Sequence, residues 1–158
     1  MLFQPRRGVR SGSDAVFLAA ATPARPGDRV LDVGCGAGAA GLCLQARVPG
    51  VDLHGLEVQQ EYADLAARNG VGAVWCEDIF APPPALANAP FDWVITNPPF
   101  YRPNNSASPK GDRSLARRAD RPLADWIAAC LRRLKPGGGF AMVHHIEALP
   151  EAMSALGK

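Results

Sequence analysis

The sequence predicts an α/β fold: a mostly parallel sheet of about five strands with helices on both faces. Three observations predict it. Short apolar runs alternate with segments of helical spacing along the chain, the pattern of strands joined by crossover helices. A glycine-rich stretch, 34–38, follows one apolar run directly and opens a helix, which is where open α/β sheets hold ligands. The 158 residues, 47% hydrophobic and 20% charged, suffice for one core and exclude bulk disorder. The 16 glycines and 15 prolines gather at turns without a period, which excludes collagen-like order. The chain reads as one domain, 1–158, with an N-terminal segment over 1–21 and a basic loop over 101–121.

Each element has its own warrant. Residues 14–21 are apolar and alanine-rich, a helix with Ser13 or Asp14 as its N-cap. A Pro/Gly turn over 22–28 leads to a short apolar strand, 29–33, that ends beside Asp32. After the glycine loop, 39–47 is a helix stopped by Pro49-Gly50. Residues 51–56 form a second strand with Glu57 at its tip. The helix 59–69 carries Tyr62, Leu65 and Ala66 at helical spacing and closes at Asn69-Gly70. A third, short strand covers 73–76, and 81–90 is a proline-rich loop. The fourth strand, 91–96, runs into Asn97-Pro98-Pro99-Phe100. Residues 101–120 are polar and basic without periodicity, a length that in a compact domain marks function or disorder. A helix over 122–134 has Pro122 near its start and Trp126, Cys130 and Leu134 on one face. Residues 135–139 read as a turn, 140–145 as a fifth strand, and 149–156 as the start of another helix.

The net charge of +2 is less informative than its distribution. Asp52, Glu57, Glu61, Asp64, Glu77 and Asp78 make an acidic middle. It lies between Arg6, Arg7 and Arg10 on one side and Arg102, Lys110, Arg113, Arg117, Arg118 and Arg121 on the other. Basic clusters attract phosphate backbones, and a solvated arginine-rich surface reads the same way. No uncharged run is long enough to span a bilayer, and the basic N-terminus lacks an apolar signal core, so a soluble cytoplasmic protein without membrane contact is expected. Cys35, Cys43, Cys76 and Cys130 contain no C-x-x-C pair; reduced, buried thiols are expected rather than disulfides or a metal site.

Four short stretches carry candidate chemistry. In Asp32-Val33-Gly34-Cys35-Gly36-Ala37-Gly38, glycines let the backbone turn tightly and approach a ligand; Gly36, Gly38 and Gly41 also satisfy the dinucleotide fingerprint. Glu57, followed by Val58, can accept hydrogen bonds from the two ribose hydroxyls of an adenosine, although a surface glutamate looks the same. Asp78 can accept from an adenine amino group with Ile79 against the ring, or can simply cap a helix. Asn97-Pro98-Pro99-Phe100 is the most specific. Two prolines remove two backbone donors and fix φ, so the Asn97 amide oxygen and the Pro98 carbonyl can converge on the two hydrogens of one NH2 group. Phe100 offers a face on which a base can stack.

Together these residues resemble the class I S-adenosyl-L-methionine-dependent methyltransferases, in the amino-methylating branch marked by an Asn-Pro-Pro-aromatic tetrapeptide. The resemblance implies a Rossmann-like methyltransferase fold with strand order 3-2-1-4-5. It assigns Asp32, Gly34, Cys35, Gly36 and Gly38 to the methionine part of the cofactor, Glu57 and Val58 to ribose, and Asp78 and Ile79 to adenine. Asn97, Pro98, Pro99 and Phe100 become the catalytic tetrapeptide, with Asn97 also beside the cofactor. Upstream, Gln4, Gly8, Arg10 and Ser13-Asp14-Ala15-Val16-Phe17 look like the start of the bacterial tRNA1(Val) adenine-37 N6-methyltransferases, which places Arg10 and Asp14 next to the cofactor. That group continues into further strands, so the sheet is expected to be C-terminally shortened, with its fifth strand an exposed edge open to a homodimer.

The expected function is methylation of an exocyclic amino group, adenine N6 in a tRNA, by positioning rather than acid–base work. Arg102, Lys110, Arg113, Arg117 and Arg118 are the candidates for RNA phosphates. His144 and His145 are assigned to the fifth strand, one facing in and one out, rather than to catalysis. Three rival readings remain at this level: a glutamine-amide protein methyltransferase, a shortened cofactor- or RNA-binding module without turnover, and an NAD-dependent oxidoreductase, which would not need the tetrapeptide.

Overall fold

A computed structural model describes residues 1–6, 8, 10–98 and 121–157. Five strands, β1 (Arg29–Val33), β2 (Asp52–Leu56), β3 (Ala73–Trp75), β4 (Phe91–Thr96) and β5 (Leu134–Met142), form one sheet in the order β3-β2-β1-β4-β5. Every pairing in it is parallel. The order and the crossover connections are those the sequence predicts. Both faces of a parallel sheet are covered, so its central strands read as near-continuous apolar runs. Val30, Leu31 and Val33 of β1 and Val94 and Ile95 of β4 are all at most 1% exposed.

Helices α1 (Ser13–Ala21), α2 (Ala39–Arg47) and α3 (Gln60–Asn69) cover one face. Their Leu18, Ala19, Ala40, Leu44 and Ala66 meet Val30, Leu53 and Ile95 of the sheet. On the other face, α4 (Pro84–Ala87) and α5 (Leu123–Leu131) bring Leu86, Ala129 and Cys130 against Leu31, Leu56 and Val94. Helix α6 (Leu149–Leu156) packs on α5. The alanines of α1 let it lie close to α2. The Arg47 guanidinium then donates to the Ala19 and Thr22 carbonyls at the end of α1, where the Thr22 hydroxyl also donates to the Leu18 carbonyl.

Five local expectations are corrected. The helix read over 122–134 ends at Leu131, and Leu134 opens β5 instead of lying on the helix face. The N-cap of α1 is Gly12, without a side-chain cap bond, so Ser13 and Asp14 lie inside the helix. The proline-rich stretch 81–90 contains one helical turn, α4; Pro84 suits its first position and Leu86, fully buried, anchors it. Residues 135–139 are not a turn before β5 but part of it. Phe91 pairs with Leu134 and Trp93 with Gly139, so 135–138 bulge from the ladder. A Cβ on Gly139 would sit 2.2 Å from the Trp93 ring, so only glycine lets the strand close there. Strand β5 consequently ends at Met142, and His144 and His145 follow it instead of belonging to it.

Strands β3 and β5 are the edges of the sheet among the described residues. Cys35 and Cys130 are buried, Cys43 and Cys76 half-buried, and all four are free thiols. No helix among the described residues is long and apolar enough to cross a membrane.

Candidate functional site

The carboxyl ends of β1, β2 and β4 converge on one cleft. Past Val33 the chain turns at once, and the Gly34 and Cys35 amides both donate to the Leu56 carbonyl, at 2.8 and 3.1 Å. That fastens the glycine loop to the end of β2. The loop returns through Gly38, at φ +87°, whose missing Cβ would lie 2.6 Å from Val71 Cγ2. A side chain there would meet both backbone strain and a clash.

Two acids brace this loop from below. Asp32, 3% exposed, accepts the Gly41 amide at 3.0 Å through Oδ2. Gly41 lies in the first turn of α2, where donors lack helical partners and a carboxylate is favourable. Glu57, 7% exposed, accepts the Gly36 amide at 3.0 Å and the Gln59 amide at 2.9 Å, one on each oxygen. Burial pushes the Asp32 carboxyl up to about 7; the Gly41 hydrogen bond opposes this and the Glu57 charge adds to it. Burial also raises the Cys35 thiol well above its ordinary value, reinforced by Asp32 and Glu57. A neutral thiol and the Asp32 carboxyl therefore line the floor, with Glu57 behind them.

The β4 side is pinned by a side-chain relay. Thr96 is fully buried; its hydroxyl donates to the Val33 carbonyl at 2.8 Å and accepts from the Trp126 indole at 3.1 Å. The ends of β1 and β4 are thus tied together by more than the ladder. The Trp126 ring also lies over Gly34, where an added Cβ would be 3.5 Å from Cζ2. Phe80 meets Trp126 edge-on at 6.0 Å, and the Arg121 guanidinium lies 4.2 Å from the Phe80 centroid. Asn97 comes next along the chain. Its Oδ1 is buried and has no hydrogen-bond partner among the described residues. Pro98 is buried behind it.

The third wall comes from the N-terminal segment. The Asn69 side chain holds Phe3 at both backbone groups, at 2.7 and 2.8 Å, and donates to the Ala37 carbonyl of the glycine loop at 2.8 Å. The Ser11 amide donates to Gln4 Oε1 at 2.9 Å. Gln4, Arg10, Asp14 and Tyr62 then face Asp32, Gly34, Cys35, Gly36 and Asn97 across a cleft of about 230 Å³.

Seven residues proposed from sequence meet in this cleft: Arg10, Asp14, Asp32, Gly34, Cys35, Gly36 and Asn97. Gly38 and Glu57 support it from behind. Val58 is half-buried past Glu57, with its carbonyl 3.8 Å from the Cys76 sulfur. Asp78 accepts the Phe80 amide at 3.0 Å, a local turn rather than a helix cap. Ile79, offered by sequence as a face for an adenine ring, is 5% exposed and belongs to the core with Leu56 and Leu86. Pro99, Phe100, Arg102, Lys110, Arg113, Arg117 and Arg118 lie outside the described residues. Sequence reasoning missed Thr96, Trp126 and Asn69 as site-building residues. Trp126 had been placed on a packed helix face, and nothing local marked its bond to Thr96.

The model of the methyltransferase small domain family matches residues 6–154. Among curated proteins, the chain is 30% identical over 146 residues to a tRNA1(Val) (adenine(37)-N6)-methyltransferase of Dickeya chrysanthemi, covering 87% of this chain and 57% of the relative. It is 30% identical over 154 residues to the Aeromonas hydrophila protein of the same name, covering 94% and 63%. The chain thus spans about three fifths of the length of these relatives. Among solved structures, a predicted O-methyltransferase from Agrobacterium tumefaciens superposes with a TM-score of 0.68 at 25% identity, over 91% of this chain and 67% of that one. A precorrin-6y C5,15-methyltransferase from Geobacter metallireducens shares the fold, with a TM-score of 0.61 at 17% identity, over 99% and 75%.

Proposed function

The chain belongs to the methyltransferase small domain family, and from that premise we propose that it moves a methyl group from S-adenosylmethionine to an exocyclic amino nitrogen, adenine N6 of a tRNA. The observation that carries this reading is the buried Asn97 Oδ1, an acceptor without a donor at the lip of the cleft. A buried polar atom left unpaired costs about 1–3 kcal/mol unless a ligand completes it. An amino N–H completes it.

The residues present suit the cofactor. Asp32 and Glu57 are buried acids at a cleft whose lining, among the described residues, holds one cation, the exposed Arg10. Such a floor favours a positive ligand, and Arg10 at the rim suits a carboxylate. When bound, S-adenosylmethionine supplies an electrophilic methyl group on a cationic sulfur. The chain supplies position. Asp32, Gly34 and Gly36 cradle the charged end, and Glu57, held rigid by two amides, keeps lone pairs for ribose hydroxyls. Asn97 and the Pro98 carbonyl hold the amino hydrogens and aim the nitrogen lone pair into the cleft. The Thr96–Trp126 bond keeps Asn97 in register with the glycine loop. The amine proton leaves to water after the new bond forms.

Adenine in tRNA is favoured by the names of the curated relatives and by the basic residues Arg102, Lys110, Arg113, Arg117 and Arg118, which suit a phosphate backbone. The test is incubation with labelled S-adenosylmethionine and unmodified total tRNA, followed by identification of the nucleoside. N6-methyladenosine is expected. Asn97→Ala should lower the rate by about 10²–10³-fold with little change in cofactor affinity. Label on protein glutamine, or none on RNA, sinks the substrate assignment.

A further inference from the structure

Resting on that cofactor reading, we propose that Asn69 is a positioning residue for the cofactor: without lining the cleft itself, its side-chain amide joins the two opposite walls and so sets how tightly the ligand is held. The two hydrogens of one nitrogen do this. Nδ2 donates at 2.8 Å to the Phe3 carbonyl, at the foot of the N-terminal wall, and at 2.8 Å to the Ala37 carbonyl of the glycine loop. Oδ1 accepts the Phe3 amide at 2.7 Å. The grip on Phe3 is that of a neighbouring strand, because a side-chain amide presents the same donor and acceptor as a peptide group. A carboxylate at this position would lack both donors, and a hydroxyl would have only one.

The ordinary task of an asparagine at this place is to end a helix, and here the backbone already does that. Asn69 is the last residue of α3; the Gly70 amide bonds to the Ala66 and Ala67 carbonyls, and the Val71 amide to the Ala66 carbonyl. The side chain is left to reach across. Other residues of α3 meet the same segment. The Arg68 guanidinium lies 4.8 Å from the centroid of the Phe3 ring. The Tyr62 hydroxyl sits under Gly8, where an added Cβ would be 2.7 Å away at a φ of +111°. From Phe3 the hold passes directly to the cleft. Gln4 follows Phe3, lines the cleft and accepts the Ser11 amide at 2.9 Å, closing the stretch that carries Arg10. At its other end the segment runs into α1, which packs on α2. Leu2 and Pro5 are turned inward as well, so losing Asn69 loosens the wall without releasing the segment altogether. A ligand between Gly34 and Gly36 on one side and Gln4, Arg10 and Asp14 on the other then meets walls that move separately, and its binding must also order them. Asn97 hangs from β4 and the Thr96–Trp126 bond instead, so the effect belongs to affinity and not to the chemical step.

The experiment uses the full chain and reads S-adenosylmethionine affinity by calorimetry, which needs no nucleic acid, then KM and kcat with tRNA, and the rate of tryptic cleavage within 6–10. Asn69→Ala should weaken cofactor affinity and raise its KM about tenfold, with kcat changed about twofold or less. Phe3→Pro deletes the amide donor from a residue 46% exposed and should weaken binding about threefold or more. Phe3→Ala, which keeps that amide, should weaken it less. With Asn69→Ala already present, Phe3→Pro should add nothing, because both break one tie. Trypsin should cut within 6–10 faster in Asn69→Ala, and saturating cofactor should slow the cutting of the unaltered chain. A residue that merely ended α3 predicts none of this. Unchanged affinity in Phe3→Pro, an equal loss in Phe3→Ala, losses that multiply in the double variant, a fall in kcat in place of affinity, or cleavage indifferent to cofactor overturns the role of Asn69 and leaves the cofactor reading standing. Phe3→Pro alters an exposed residue near the terminus, so the inference stays open to refutation even if Asn69→Ala fails to fold. Failure of the unaltered chain to bind S-adenosylmethionine overturns the cofactor reading itself, and the inference with it.

Discussion

The two ends of the sheet treat charge in opposite ways. At the amino end, where the strands begin, charges are paired. Arg29 contacts Asp52 at 3.2 Å through Nε and the Pro90 carbonyl at 3.0 Å, while its backbone amide donates to Asp92 at 2.9 Å. His54 Nε2 lies 2.8 Å from Asp52, and Lys135 pairs with Asp92. His54 beside Asp52, and Lys135 beside Asp92, hold these carboxyls below their ordinary value. At the carboxyl end, Asp32 and Glu57 crowd together, burial raises Asp32, and the Asn97 acceptor is left open. The amino end pairs its surface charges, although Arg133 Nε and His54 Nδ1 there are buried without a hydrogen-bond partner among the described residues; the carboxyl end differs in that its open acceptor, Asn97 Oδ1, stands beside a cleft.

The comparison breaks or sharpens first under pH. Asp32 titrates higher folded than unfolded, so its contribution is fully present below 3.8 and is lost as pH rises through about 7. That span corresponds to about 4 kcal/mol. Asp52 and Asp92 titrate lower folded, so their contribution is present above 3.8 and is lost as pH falls through their lowered values. Chemical denaturation without ligand should therefore weaken in both directions, and Asp32→Asn should abolish only the loss toward neutral pH. Persistence of that loss in the variant would show that Asp32 is not its source.

Gly38→Ala comes next. Its positive φ and the 2.6 Å approach to Val71 predict destabilisation by about 2–3 kcal/mol, read by urea unfolding, with weakened cofactor binding. Thr96→Val leaves the Trp126 indole without its acceptor; a cost of about 1–3 kcal/mol and a shift in tryptophan emission are expected. The smallest effect belongs to the amino end. Asp52 is 54% exposed at its side chain, so Asp52→Asn should cost about 0–1 kcal/mol in the same unfolding assay, and methyl transfer should be unchanged. A large catalytic effect there would erase the division between the two ends.

The sheet was legible because burial on both faces leaves apolar runs, and the glycine loop because close backbone approach has few sequence solutions. Asp32 and Asn97 stood out by their place at strand ends. The bulge over 135–138 was not legible, since Pro and Gly mark a turn and a bulge alike. Ile79 packs with Leu56 and Leu86, which its sequence could not show, because an apolar residue after a strand looks the same whether it faces a ligand or the core. The ties that build the site, Phe3 to Asn69 across 66 positions and Trp126 to Thr96 across 30, join distant elements and leave no local pattern.

The bond between Phe3 and Asn69 has a bearing on how the protein comes into being. Phe3 leaves the ribosome long before Asn69, and nothing else described at Phe3 grips its backbone. The wall that carries Gln4 and Arg10 must wait, unfastened, until the third helix has been synthesised, so a nascent chain cannot possess a finished cleft until its sheet is already well under construction.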